Sequence, residues 1–433
     1  MAESLPFNAR QEAQTASGLS SRAAVLVFLL ALGARLAATA HFGFETLRFG
    51  DARAYLFAAT ELVRTGHYPH RTDLFGFRAP GYPLFLVLAT AGRPGHIAAV
   101  KVANDVVGAL AVLVLAALAG RLFRIRRAAI LTGVAAAIHP GFLSLSADVQ
   151  SEPLFLLLLL AAGFLLLAAS DRPSSNLALS SGAALAAAAL TRPSALILVP
   201  LLAAPMLDIR YPRRARVHLA ASAAAGFCLL LAPWTLRNAL VYREFVPIDD
   251  EGGGNFYQGN SDWTVRFYEV RTPGQYKAWS AAMLSDMEEQ TRAAEAASRG
   301  SPTATSRFLI HQALQQRRGD LAGWLRLELH KTLDWLRPYP NPMFWPAWIV
   351  WSVGLFTGAL TLLAAAGMAM APRFGATAFV LVYLSITMLF HVVMLVVWRY
   401  RIPYWDPVIL LYGAFGAAEL LRRNSKRLPM ALP

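Results

Sequence analysis

Charge is scarce in this sequence. Only 15% of its 433 residues are Asp, Glu, Lys or Arg, against about 25% in an ordinary soluble domain. Cysteine is nearly absent: Cys228 stands alone, inside an apolar run. A disulfide within the chain is excluded, and so is a cysteine metal centre. His139, His311, His330 and His391 are isolated and lack metal-ligand spacing. There is no internal repeat, and no glycine-broken pair of apolar segments of the kind that marks many transporters.

What fills the space is apolar. Hydrophobic residues make up 56% of the chain and the mean hydropathy is +0.44. They gather in runs of a length that spans a bilayer as a helix, about 20 residues. The expected fold is an all-α polytopic membrane protein. A net charge of +14 raises the question of nucleic acid, but its distribution answers it. Residues 237–345 hold 13 acidic and 13 basic side chains, and the excess lies in short clusters beside apolar runs. That is the positive-inside pattern of a membrane protein, and no nucleic-acid partner is expected.

Read in order, the chain has about ten apolar spans: 23–42, 96–120, 128–145, 153–169, 177–190, 194–207, 219–236, 347–370, 376–397 and 407–421. The two between 177 and 207 are short. Basic clusters at RLFRIRR, DIRYPRRARVH and RRNSKR mark the cytoplasmic ends. Both tails, 1–22 and 422–433, are then cytoplasmic, and the first apolar run, with no small-residue cleavage site after it, reads as a retained span. Arg35 interrupts the first span, near the outer interface where its head can snorkel. Lys101 and Asp105, four apart on one helix face, are placed to pair.

The first outer loop, 43–95, contains GDARAYLFAATELVRTGHYPHRTDLFGFRAPGYP. An acid, Asp51, and a base, Arg78, bracket a segment in which Tyr55, Ala58, Ala59 and Leu62 recur at helical spacing. The apolar stretch 81–92 is too short to cross and is expected to lie along or dip into the outer leaflet. Residues 23–236 form the main transmembrane module, 346–421 the C-terminal spans, and 237–345 a small, mostly helical outer domain. That domain opens on a turn-rich stretch with Asp249, Asp250 and Glu251, which reads as a solvated acidic turn rather than a cation site. Helices follow from Pro273 to Arg299 and from Thr305 to Trp335.

With this topology Asp51, Arg78, Glu152, Arg192, Arg237, Arg399 and Arg401 all face outward from loops far apart in sequence. Charges at an apolar boundary are costly to leave unpaired and mark substrate paths. Several arginines suit phosphate, which their planar fork binds with two parallel hydrogen bonds. Each residue also has a plainer reading. Asp51 sits where an acid caps a helix, Arg78 can anchor at the interface, Glu152 can be a buried ion-pair partner, and Arg192 precedes Pro193 and can simply end a helix. Arg399 and Arg401 lie two apart, so both need not point the same way.

The motifs GDARAY, TGHYP, RAPGYPLF, HPGFLSLSADVQSEPLF, LTRPSAL, APWTLRN, GGGNFYQGN and RYRIPYWDPVIL, in that order, resemble the GT-C glycosyltransferases. These polytopic enzymes, with outer juxtamembrane helices, use lipid-phosphate sugars; protein O-mannosyltransferases and the lipid A aminoarabinose transferase are members. The resemblance covers about residues 23 to 420. It implies a glycosyltransferase with Asp51 as catalytic base, and Arg78, Glu152, Arg192 and Arg399 or Arg401 around the donor phosphate, with Tyr55 nearby. It implies a polyprenyl-phosphate-sugar donor, a lipid, polysaccharide or protein acceptor, no required cofactor, and a bacterial inner-membrane location. A divalent metal is allowed but not indicated. Protein mannosyltransferases carry paired acids in the first loop, whereas Asp51 is followed by Ala52, which weakens an assignment to protein mannosylation. A flippase or transporter of an anionic lipid, or a non-catalytic assembly protein, would use the same arginines for binding alone.

Overall fold

A computed structural model describes residues 19–72, 76–371 and 374–427. The expected tails fall largely outside these residues. Every regular element among the described residues is helical. Six helices are long and apolar enough to cross a membrane alone: Ser21–Phe42 (α1), Ile97–Phe123, Glu152–Asp171, Arg213–Tyr242, Ala347–Met370 and a sixth at Thr377–Met394. A seventh crossing arises if Arg126–Ala137 and Pro140–Ser146 count as one span bent by 52°. The bend has a cause: Pro140 offers no N–H to the turn before it, and the ring of His139 accepts the Phe142 N–H to start the next helix.

The expectation of ten spans is therefore not met by length and composition. Ser175–Thr191 is a shorter apolar helix and Pro193–Leu207 a tight 3-10 helix, with Pro200 and Pro205 unable to donate. The last helix, Asp406–Arg427, has charged ends. Among the described residues all ten apolar segments lie on helices, and six or seven of them qualify as crossings by length and composition.

Four of the six long helices bury little, 17–22% of their apolar window, while Ile97–Phe123 and Glu152–Asp171 bury 44% and 39%. In α1 only Val27, Ala31, Arg35 and Thr39 are buried, one stripe at spacing four, while Val25, Leu26, Leu29 and Leu30 are exposed. A helix apolar all round with one packed stripe is a membrane helix, its outer face covered by lipid. Close approach comes from small residues, as expected where lipid tails supply no hydrophobic drive between helices. Gly182 of Ser175–Thr191 lies on the backbone of Ala223, and Gly226 of Arg213–Tyr242 on that of Leu179, with no room for a Cβ at either.

Two expectations inside the membrane are corrected. Arg35 does not snorkel: it is buried, donating to the carbonyl of Ala31 at 3.0 Å and to that of Ala137 at 3.5 Å. Lys101 does not pair with Asp105. Its ammonium binds the carbonyls of Gly43 (2.8 Å) and Thr46 (2.5 Å), while Asp105 accepts the Thr39 hydroxyl at 2.8 Å. The loop after α1 thus supplies two carbonyls to the cation, while one Asp105 oxygen is engaged by Thr39.

The segment 237–345 is helical, with Gly252–Asn260, Asp262–Phe267, Pro273–Ser298, Pro302–Gln316 and Leu321–Leu336. Its core joins Tyr257, Met283, Met287, Ala294, Leu309 and Ala313. The GGGNFYQGN stretch, expected as turns, is a helix, held by packing against Pro302–Gln316. The long helix expected over 305–335 is two. The first ends at Gln316, Gly319 at φ +84° lies in the turn that follows, and the Asp320 carboxylate caps the second by accepting the Gly323 N–H at 2.8 Å.

Candidate active site

Asp51 is the first residue of the helix Asp51–Thr65 (α2), whose Ala52, Tyr55 and Ala59 pack on Tyr82, Leu86, Val100 and Val149. That bed fixes the helix and points its N-terminus at the arginines. The capping reading of Asp51 does not hold. Gly50 occupies the N-cap, and no side chain there closes a cap bond. The carboxylate goes elsewhere: one oxygen accepts from Arg78 Nη2 at 3.0 Å and the other from Arg399 Nη2. Burial would push this carboxyl up, but Arg399 and Arg78 outweigh it and hold it well below the usual carboxylate range. Tyr55, one turn along, is pushed up to about 12 by burial, so its hydroxyl stays a donor. Its ring lies 5.0 Å from the Arg78 guanidinium.

Five consecutive residues, Asp148 to Glu152, carry the opposite wall. The segment is irregular, and Asn104 holds its backbone, donating to the carbonyls of Asp148 (2.8 Å) and Gln150 (3.3 Å) and to the Tyr82 hydroxyl (2.8 Å). Asp148 accepts the backbone N–H groups of Arg48 (2.9 Å) and Phe49 (3.0 Å), which sets the approach to Asp51. Gln150 Oε1 accepts from Arg399 Nη1 at 2.8 Å. Ser151 Oγ lies 3.1 Å from the Tyr55 hydroxyl and accepts from Arg192 at 3.1 Å. Glu152 pairs with Arg192 at 3.0 Å and lies 3.9 Å from Arg399.

The sequence candidates divide cleanly. Asp51, Tyr55, Arg78, Glu152, Arg192 and Arg399 come together in one cluster. Arg401 does not join it. It is 2% exposed, donates to Asp406 at 2.7 Å and to the Arg337 carbonyl at 2.9 Å, and its partner Asp406 lies 3.5 Å from His139. Arg237 is also apart, donating to the Tyr68 carbonyl at 2.9 Å.

Sequence reasoning passed over four contributors. Gln150 and Ser151 lie inside a quoted motif but in an irregular segment that gives no periodic signal. Tyr400, whose ring lies 4.9 Å from Arg192 and 5.3 Å from Arg399, sits between the two arginines that drew attention. Glu251 was read as a solvated turn residue. It faces Arg78 Nε at 3.3 Å, and its neighbour Asp250 accepts the Phe77 N–H at 2.8 Å. The outer segment is thereby joined to the first loop, and its triple glycine following the acids was the available signal. Among the described residues no group of three or more His, Cys, Asp or Glu side chains could hold a metal ion.

Residues 78–236 match the family model of dolichyl-phosphate-mannose-protein mannosyltransferases, which places Arg78 at its edge and Asp51 outside it. The structure superposes on the oligosaccharyltransferase AglB of Archaeoglobus fulgidus, solved in complex with an inhibitory peptide and a dolichol-phosphate, with a TM-score of 0.56, 15% identity, and coverage of 95% of this chain and 52% of that one. The chain has the GT-C fold. An Archaeoglobus fulgidus oligosaccharyltransferase in the apo form gives a TM-score of 0.56 at 16% identity, covering 95% of this chain and 52% of that one. This GT-C chain thus spans about half the length of the solved relatives it matches. A looser likeness, TM-score 0.43 at 16% identity, is to ArnT of Cupriavidus metallidurans bound to undecaprenyl phosphate, covering 94% of this chain and 81% of that one. No curated protein sequence matches this chain significantly.

Proposed function

We propose that this protein is a membrane glycosyltransferase that moves a sugar from a polyprenyl-phosphate donor to an acceptor hydroxyl on the extracytoplasmic side of a bacterial cytoplasmic membrane, both chain termini being cytoplasmic. The observation that carries the reading is the Asp51 carboxylate held between two guanidiniums, Arg78 and Arg399, at the start of an outer-loop helix. The likeness of residues 78–236 to a lipid-phosphate-mannose family supports the donor class.

The chemistry follows from the leaving group. A sugar on a lipid phosphate departs as an anion, so charge stabilisation does more than protonation. Asp51 takes the proton of the acceptor hydroxyl as that oxygen attacks the anomeric carbon. The bond from that carbon to the phosphate oxygen breaks on the opposite face, the electron pair leaves with the phosphate, and the anomeric centre inverts. One carboxylate suffices, unlike glycoside hydrolysis, where the leaving alcohol needs an acid. Arg78, Arg399 and Arg192 supply the positive charge. No divalent cation is needed in this scheme. Glu152 acts through Arg192, holding it at 3.0 Å.

The deciding experiment is transfer from a labelled polyprenyl-phosphate sugar by the purified full chain in detergent. Asp51→Asn is expected to lower the rate by about 10²–10⁴-fold, the usual worth of a general base, in a protein that still folds. Near-normal turnover removes Asp51 as the base. A wild-type protein that binds the lipid and never consumes it is a carrier.

A further inference from the structure

The two guanidiniums best placed to receive a phosphate are not waiting for one. Asp51 occupies both, one oxygen each. The surroundings hold this arrangement in place: Gln150 fixes Arg399 from behind at 2.8 Å, and Glu251 fixes Arg78 at 3.3 Å. We propose that Asp51 is an internal stand-in for the donor phosphate, so that the donor must displace it from Arg78 and Arg399 before the carboxylate is free to act as a base. This rests on the glycosyl-transfer reading above and adds an order to it. The arginines exchange one anion for another, so their charge is never left unpaired in a partly buried site. The released carboxylate, freed of two hydrogen-bonded cations, becomes the stronger proton acceptor. Donor loading then arms the base, and the acceptor is activated only when there is a sugar to receive.

The consequence runs against the ordinary expectation for a catalytic residue. A protein whose binding-competent form is only a fraction f of the population binds 1/f more weakly than that form alone. Removing the competing carboxylate removes this penalty. Full-length Asp51→Asn in detergent should therefore bind a polyprenyl monophosphate at least about tenfold more tightly than the wild type, while free polyprenol binds equally to both. Inorganic phosphate, run alongside, should show the same gain at lower affinity, the lipid tail adding binding to both proteins alike.

Loss of repulsion alone would also strengthen anion binding, so the measurement is repeated on Arg399→Gln. With the Arg399 pair already broken there, adding Asp51→Asn should gain less than it does in the wild type, because only Arg78 is then released. Arg78→Gln supplies the same cycle through the other guanidinium if the first background fails to fold. A gain of the same size in either background means repulsion rather than occupancy and overturns the proposal, as does an unchanged or weaker affinity in Asp51→Asn alone. A protein that binds phosphate and alcohol alike overturns the glycosyl-transfer reading itself, and this one with it.

A second inference stands on a separate observation. Leu321, Leu325, Leu329, Leu333 and Leu336 of the helix Leu321–Leu336 are 46–67% exposed, while Leu327, Lys331 and Trp335 are buried. At 100° per residue the five leucines share one arc of about 120°, too wide for chance on a water-facing helix. Its depth is set by two spans. The Lys331 ammonium binds Asn260 Oδ1 at 2.9 Å, and Asn260 in turn donates to the carbonyls of Val393 (3.0 Å) and Met394 (3.3 Å) at the end of Phe374–Met394. Trp335 stacks on His391 at 4.7 Å. A short link then enters Ala347–Met370, whose first turns expose Trp348 and Trp351, the usual depth markers of a bilayer surface. The geometry points to this helix lying in the plane of the outer bilayer surface with its leucines in lipid.

The test uses the full chain with Cys228→Ser, reconstituted in phosphatidylcholine–phosphatidylglycerol vesicles, with a nitroxide at Leu329→Cys and, separately, at the exposed Lys277→Cys. Oxygen should relax the Leu329 label more than a water-soluble nickel chelate does, and the order should reverse at Lys277. Equal nickel access at both sites overturns the proposal. Protection of Leu329 from both reagents places a second protein surface there and also overturns it.

Discussion

Arg399 and Arg401 are separated by one residue and do opposite things. Arg401 is 2% exposed, and Asp406 beside it is 1% exposed. Each finds a partner inside the protein, and the pair is closed to any ligand. Arg399 is 15% exposed and Asp51 24%. Their pair sits at an opening, shares Gln150 and Glu152, and has Arg78 and Arg192 close by. Both are short-range ion pairs of arginine with aspartate. What separates a pair that holds a fold together from one that can be exchanged is access, together with neighbours that can hold the arginine once its carboxylate leaves.

The largest effects should come from breaking each pair. Arg401→Gln leaves Asp406 buried without its cation, which typically costs about 3–5 kcal/mol. Thermal unfolding in detergent should show a large drop, with residual transfer per folded molecule near normal. Arg399→Gln should do the reverse: transfer falls about 10²–10³-fold, the scale of losing one transition-state charge donor, with a small change in melting. Equal destabilisation by both variants would erase the distinction. Gln150→Leu keeps the charge of Arg399 but removes its rear support, and a misplaced catalytic group costs up to about 100-fold. Its effect should appear in turnover more than in lipid-phosphate affinity. Glu251→Gln loosens Arg78 from the outer segment and should change the rate only severalfold, since partly exposed pairs contribute up to about 1 kcal/mol.

The smallest effect is one of pH. Because Asp51 has its pKa depressed in the folded protein, its pairing contributes stability that is present above the ordinary carboxylate value, about 3.9, and is lost only as the pH falls through the lower folded value. A melting curve of the donor-free protein followed from pH 6 to 4 should show no loss that disappears in Asp51→Asn. A loss specific to the wild type in that window would mean that the carboxylate is not held by its two arginines.

The sequence made some of this legible and hid the rest for identifiable reasons. Long apolar runs mark helices directly, so the membrane character was plain, but a crossing depends on the length and composition of each helix, and the 15-residue segment Pro193–Leu207 is a 3-10 helix with Pro200 and Pro205 inside it. Asp51 and Arg78 were visible because they bracket an amphipathic helix at the two ends of one outer loop. Their meeting with Arg399 depends on tertiary packing, which no local pattern reports. Arg399 and Arg401 could not be told apart, since the direction of a side chain in a four-residue helix is set by what it packs against. Glu251 was hidden by its own neighbours, because three acids in a row look solvated until a guanidinium is found opposite.

The segment from Asp148 to Glu152 behaves as a word without a spare letter. Asp148, Gln150, Ser151 and Glu152 each engage a side chain or backbone group from another part of the chain, Ser151 and Glu152 sharing Arg192, and Val149 packs in the bed beneath α2. A substitution there removes one connection. Deleting or inserting one residue would shift the reading frame of contacts and hand every partner the wrong side chain, detaching Phe49, Arg399, Tyr55 and Arg192 together. The site should tolerate exchange of residues in this stretch far better than any change in its length.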